Sequence, residues 1–418
     1  MDEQGGVPRV DDFSYTAQGN TWRDLEWLYQ RWVMDLWSLG GATAVIVAHA
    51  LVNVLTFGFL LWALGGRRRM TLVGVGLLVL ALLVCEVRFS VRPHAVGRFF
   101  FAVTLWLILY PRARGRPVPL WPLGVIMVVW CNVHGSYTAG ILLSLFLLLD
   151  AVMERTGWQR AILLLGLLLA ASCMNPYGWQ QNFGLFMHHG AVRQASANPE
   201  WQPLAITPDT LADPGLWAFV ILAVLTSWLV WGKRGRSMGW FERAVWLMCL
   251  FAPFVHVRTL PLSAIALTLL SAVVLLGERE KPAGIPGVAI ALVGVLLLST
   301  NLYWTWAPRS SRLGTGVSEQ SVGWGAGKFL AEREGVERVF NTYAAGGWLM
   351  WWLYPRGGRV YIDGRDIGNV YTAKNFAEYL ELLTQPALFT RAQDKYNWDA
   401  VVLEPGNPLC QPLVQHLS

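Results

Sequence analysis

Charge is what this chain has least of. Only 14% of its 418 residues are Asp, Glu, Lys or Arg, where a soluble domain carries about a quarter. So little charge cannot cover an ordinary water-soluble globule. With 54% hydrophobic residues and a mean hydropathy of +0.40, the composition points to a polytopic membrane protein. Cysteine is sparse too. Cys85, Cys131, Cys173 and Cys249 lie in or beside apolar runs and Cys410 stands alone, so no spacing suggests a disulfide framework or a zinc site. No basic stretch leads into an apolar one within residues 1–39, which therefore do not read as a secretory signal. The net charge of +6 does not call for nucleic acid as a partner, because much of it sits in short loops.

What the chain does have is long apolar runs and 23 tryptophans, a residue that favours the membrane interface. A bilayer core of roughly 30 Å takes about 20 apolar residues of helix. On that basis ten spans are expected, near 41–64, 70–87, 97–110, 119–131, 136–152, 160–174, 215–232, 242–256, 259–277 and 286–303. The loops between them alternate in charge. One set holds fourteen basic residues: Arg67, Arg68, Arg69, Arg112, Arg114, Arg116, Arg155, Arg160, Lys233, Arg234, Arg236, Arg243, Arg279 and Lys281. The other holds five: Arg88, Arg92, Arg98, Arg193 and Arg258. Basic residues in short loops stay on the cytoplasmic side. The richer set is thus expected inside and both termini outside, so every loop with motif character faces outward.

After residue 303 the pattern changes. A turn-rich linker leads to "VERVFNTY", "RVYID" and "DAVVLE", which read as strands. Between them "AAGGWLMWWLY" and "YTAKNFAEYLELL" read as helices. The expected architecture is mainly α: an outer segment over 1–39 with an interfacial helix, a transmembrane bundle over 40–303, and a small outer α/β domain over 304–418.

Several residues in these outward loops carry chemistry. Asp11, Asp12 and Glu26 are acidic groups that can accept a proton or hold a divalent cation. Alternatively the two aspartates make a turn and Glu26 is the polar start of a helix. "VRPHAVGR" supplies Arg92, His94 and Arg98, suited to a phosphate, or else snorkelling and pairing with Glu86. "WCNVHGS" supplies Asn132 and His134, which either line a cavity or cap a helical hairpin. "FVHVRTLP" adds His256 and Arg258. The adjacent His188 and His189 point apart on any regular element and make poor joint ligands. In the last domain Asp363 and Arg365 follow a strand, where either a binding site or an Asp-Gly turn fits. "AAGGW" lacks the spacing of a phosphate loop.

In order along nearly the whole chain, "PRVDDFSYTAQGNTWRDLEWLYQ", "RPH", "WCNVHG", "NPYG" and "FNTYAAGGWLMWWLYPRGGRVYIDGR" resemble the pattern of a group of multi-pass bacterial envelope proteins. That group in turn resembles the GT-C superfamily of membrane glycosyltransferases. The resemblance implies an inner-membrane enzyme that moves a sugar from a polyprenyl-phosphate carrier to an envelope acceptor at the outer face. By that implication Asp11, Asp12 or Glu26 would be catalytic, and Arg92, His94, Asn132, His134 and Arg258 would hold the phosphate or substrate. Asp363 and Arg365 would bind in the outer domain. An envelope lipid transporter or flippase, or a non-catalytic scaffold, are the other readings of such a chain. The related proteins place a span and an acidic "DPDLWWH"-like motif ahead of the segment matching residues 7–30. The resemblance therefore implies that this chain is truncated there, and also after "QPLVQHLS".

Overall fold

The computed structural model describes residues 6–65, 71–182, 202–232, 235, 238–275, 314–317, 323–365 and 370–411. It divides into two compact units. Residues up to Asp24 join those from Val317 onward in the first, and the second holds Leu25–Asn182 and Asn198–Gly316.

The second unit is a bundle of helices, named here α1 (Trp27–Ala63), α2 (Leu72–Cys85), α3 (His94–Ala113), α4 (Leu120–Trp130), α5 (Thr138–Met153), α6 (Trp158–Ser172), α7 (Pro208–Ala212), α8 (Pro214–Trp231), α9 (Trp240–Phe251) and α10 (Leu260–Leu275). Five stretches are long and apolar enough to cross a membrane: Trp27–Ala63, His94–Ala113, Gly135–Met153, Pro214–Trp231 and Val257–Leu275. Leu120–Trp130 and Trp158–Ser172 are shorter apolar helices. The tenth expected span, 286–303, lies outside the described residues.

α10 is the core of the bundle. It packs against α1, α2, α3, α8 and α9, and its buried residues leave no polar face. Ser263, Ala264, Ala266, Ser271 and Ala272 let neighbouring backbones come close, as membrane helices require where lipid gives no hydrophobic drive. The hydroxyls are satisfied locally: Thr226 on α8 meets Ser271 across the interface at 3.1 Å.

α1 is two helices rather than one. Gly40 and Gly41 interrupt it, and Gly41 has φ +60° with ψ −151°, which glycine adopts freely and other residues rarely. Twenty residues of unbroken helix would separate Tyr29 and His49 by about 30 Å. Instead the Tyr29 hydroxyl lies 2.8 Å from His49 Nε2, and the Trp32 ring is 5.1 Å from the imidazole. The segment before Gly40 therefore folds back along the segment after it.

The first unit is a small three-layer α/β domain. Its helices are α11 (Trp324–Ala331), α12 (Gly346–Leu353), α13 (Ala373–Thr384) and α14 (Pro386–Tyr396), and its strands are β1 (Arg338–Asn341), β2 (Arg359–Val360) and β3 (Ala400–Val402). All pairs are parallel, in the order β2-β1-β3. Successive strand residues face opposite ways, and β1 uses this to divide the core. Val339 packs with Leu330, Leu349 and Leu353 of α11 and α12. Phe340 packs with Phe376, Tyr379, Phe389 and Trp398 on the other face. The N-terminal segment extends the sheet, since Val360 N donates to Phe13 O and Tyr15 N donates to Val360 O. Asn341 ties the strand ends together: its Nδ2 donates to Ile362 O at 2.7 Å and its Oδ1 accepts from Tyr361 N at 2.9 Å.

Candidate functional site

The residues singled out in the sequence fall into two groups, one in each unit.

In the first unit Asp11, Asp12, Asp363 and Arg365 gather around the join between the N-terminal segment and the sheet. Asp11 is 1% exposed and Asp363 is fully buried. Arg365 lies between them, 2.6 Å from Asp11 Oδ1 and 2.6 Å from Asp363 Oδ2, with a second bond from Nε to Asp363 Oδ1 at 2.8 Å. The Nη1 contact with Asp11 is close but off the N–H direction, so it is an ion pair without a hydrogen bond. The guanidinium also lies over Trp22 at 4.9 Å and Phe13 at 5.1 Å. Burial alone would lower the Arg365 pKa, but hydrogen bonding and charge from Asp363, with Asp11 behind it, raise it above its ordinary value. Tyr371 donates to Asp363 at 2.6 Å, and burial followed by the Asp363 charge pushes its hydroxyl well above the usual range.

Asp11 spends its other hydrogen-bonding capacity on its own turn, accepting from Phe13 N, Ser14 N and the Ser14 hydroxyl. Asp12 pairs with Arg359 at 2.9 Å and accepts from Tyr354; the Arg359 hydrogen bond lowers its pKa against the opposing effect of burial. These carboxylates are all engaged in holding the segment to the domain.

The second group lies where α3 begins and where α4 turns into α5. Glu26, Arg92, His94, Asn132, His134 and Arg258 all belong here. Asn132 anchors the chain just after Glu26, because its side-chain oxygen accepts from Trp27 Nε1 at 2.7 Å and its carbonyl from Leu28 N at 3.2 Å. That anchoring brings Glu26 Oε1 to 3.9 Å from His134 Nε2, too long for a hydrogen bond but within ion-pair range. His134 caps the turn that follows it: its Nδ1 accepts from Ser136 N at 3.1 Å and meets the Ser136 hydroxyl at 2.7 Å. A backbone N–H can only donate, so the neutral imidazole carries its proton on Nε2, the nitrogen facing Glu26.

His134 is 7% exposed, and burial pulls its pKa well below the ordinary value, with Arg258, His94 and Arg98 adding to the effect. These effects favour the neutral imidazole. The His94 ring lies 6.4 Å from it. Gly97 makes this approach feasible: a Cβ there would come 2.5 Å from Ser136 Oγ and 3.0 Å from His134 Nδ1. Arg92, by contrast, is exposed.

The sequence offered Arg98 either to a phosphate or to snorkelling and pairing with Glu86, and the structure buries it. It is 2% exposed. Its hydrogen bonds go to the Arg88 carbonyl at 3.1 Å and to the Asn53 side-chain oxygen at 2.9 Å, all neutral acceptors, and its Nε has no partner among the described residues. His94 shares the Arg88 carbonyl, at 3.1 Å. The signal was the spacing: His94 and Arg98 are four apart on one helix and so share a face.

Among the described residues no three His, Cys, Asp or Glu side chains come together as metal ligands. His188 and His189 lie outside the described residues. Comparison with known protein families and with curated proteins finds no match for this chain.

Proposed function

We propose that the helical unit binds the phosphate of a lipid-linked sugar at the Arg98 cluster, and that the chain is a membrane glycosyltransferase of the GT-C kind. The observation that carries this reading is the buried Arg98 guanidinium with only neutral partners, beside two imidazoles and a carboxylate. A buried charge without a counter-ion costs several kcal/mol, and ionisable groups at membrane depth mark binding sites. A phosphate supplies the missing negative charge.

In this reading Glu26 takes the proton from an acceptor hydroxyl as its oxygen attacks the anomeric carbon. The bond from that carbon to the phosphate oxygen breaks, and its electron pair leaves with the polyprenyl phosphate. Arg98, with the less buried Arg92 and Arg258, stabilises the departing charge. Neutral His134 offers its Nε2 proton to the phosphate or the acceptor. The site faces the side with few basic loops, so the donor is met at the outer face of the inner membrane. In this reading the shorter apolar helices also cross the membrane, toward a total of about ten spans.

The experiment is transfer from a labelled polyprenyl-phosphate sugar in proteoliposomes containing the full chain. Glu26→Gln is expected to lower the transfer rate by about 10²–10⁴ while donor binding holds. Arg98→Gln is expected to weaken donor binding. No transfer, together with binding unchanged in Arg98→Gln, sinks the reading. Binding that depends on Arg98 without any transfer moves it to an envelope lipid transporter.

A further inference from the structure

The opposite ends of the same helices hold a second polar site. Arg112 is fourteen residues beyond Arg98 on α3, about 21 Å along the axis. There a cleft of about 990 Å³ opens between the ends of α3, α5, α6, α9 and α10. One side is built by an ion cluster. Arg112 binds Glu242 of α9 at 2.8 Å and Asp150 of α5 at 2.9 Å. Both carboxylates also accept backbone N–H groups, Asp150 from Phe241 and Glu242 from Gly239, each at 2.9 Å. These two acids are therefore spent on the protein itself.

The rim is different. Arg114, Arg116 and Arg160 are exposed and line the cleft. Arg114 lies over Tyr110 at 5.4 Å, and Arg160 is held to the Val118 carbonyl at 2.9 Å. Among the described residues none of the three pairs with a carboxylate, and Glu154 is the one remaining acid in the lining. The inner wall is apolar, with Leu120, Leu164 and Val273. Three exposed guanidinium groups, two of them held in place, beside an apolar wall match an amphiphile with an anionic head, not a free ion. Basic pockets between membrane helices recognise phospholipid heads in this way.

We propose that this cleft binds an anionic phospholipid, its phosphate held by Arg114, Arg116 and Arg160 and its glycerol and upper acyl chain against Leu120, Leu164 and Val273. Arg112 is the scaffold that keeps the cleft open, not a ligand of the lipid. The lipid site is independent of the transfer reading because the two clusters lie at opposite ends of α3.

The test uses the full chain in nanodiscs of phosphatidylcholine containing a minor fraction of phosphatidylglycerol. Lipid retained after detergent extraction is counted by native mass spectrometry. Phosphatidylglycerol is expected to be enriched, and the enrichment to fall about fivefold for each of Arg114→Gln, Arg116→Gln and Arg160→Gln. The corresponding Lys variants and the exposed Arg391→Gln are expected to retain it. Equal retention of the two lipids, or equal loss in Arg391→Gln, overturns the site. Displacement by millimolar inorganic phosphate would make the ligand a free anion and overturn the lipid assignment. Because the three rim arginines are exposed, an unchanged melting temperature separates lost binding from lost fold.

Discussion

Arg365 and Arg98 are both arginines removed from water, yet the surroundings assign them opposite roles. Arg365 has two carboxylates within 2.6 Å and two aromatic faces about it. Its charge is compensated inside the protein, so it acts as a bolt between the N-terminal turn and the end of β2. Arg98 has carbonyl and amide oxygens only, and in the proposed reading a ligand phosphate compensates it. The bolt makes a direct prediction. Arg365→Gln leaves Asp11 and Asp363 buried together without a cation, and removing one partner of a buried ion pair costs about 3–5 kcal/mol. Urea unfolding of the first unit within the full chain, followed by protease cleavage between residues 6 and 24, should show destabilisation in that range. Cleavage unchanged from the parent protein would mean that Asp11 is not held through Arg365.

At the scale of elements, the hairpin in α1 decides where Glu26 sits, and it turns on one glycine. Gly41→Ala places a Cβ at φ +60° with ψ −151°, a backbone region essentially restricted to glycine, at a cost of about 1–3 kcal/mol. Gly58 lies in the regular part of the same helix, and a methyl group there would meet nothing within 4 Å, so Gly58→Ala should instead stabilise by up to about 1 kcal/mol. Thermal unfolding in detergent compares the two, and the same sign for both would mean that no hairpin hinges on Gly41. Much at this scale was legible in the sequence. "WSLGGATAV" divided an aromatic, amphipathic stretch from an apolar run, and the strand alternation of "RVFN" and "AVV" marked the sheet. α14 was not legible, because Pro386–Tyr396 has no sustained apolar period; it buries only Phe389 and Ala392. Side-chain partnership was hidden too. Sequence periodicity gives the face of a helix but not which carbonyl it meets, so the sequence left Arg98 open between a phosphate, solvent and Glu86. For Asp11 the turn was one of the two readings, but its distant partner Arg365 leaves no local signature.

At the scale of the molecule, α3 and α5 each carry a polar cluster at both ends and almost nothing ionisable between. The end with Glu26, His94, Arg98 and His134 joins buried bases to one carboxylate. The end with Arg112, Asp150 and Glu242 joins a closed ion cluster to a rim of exposed arginines. This asymmetry agrees with the loop charges, and basic residues near helix ends stay cytoplasmic because translocating them is costly. The two ends should therefore lie on opposite sides of the membrane. Single cysteines at Arg116 and Val91, both exposed positions of the second unit, test this in intact cells with a membrane-impermeant maleimide. The native cysteines are buried or partly buried, so their background can be measured in the parent chain and subtracted. A cysteine at Val91 should label in intact cells, and one at Arg116 only after permeabilisation. Reversed labelling would turn the Arg98 cluster toward the cytoplasm, where a carrier-linked sugar waiting at the outer face could not reach it. The transfer reading would then fall, while the bolt at Arg365 and the hairpin at Gly41 would stand, since neither depends on sidedness.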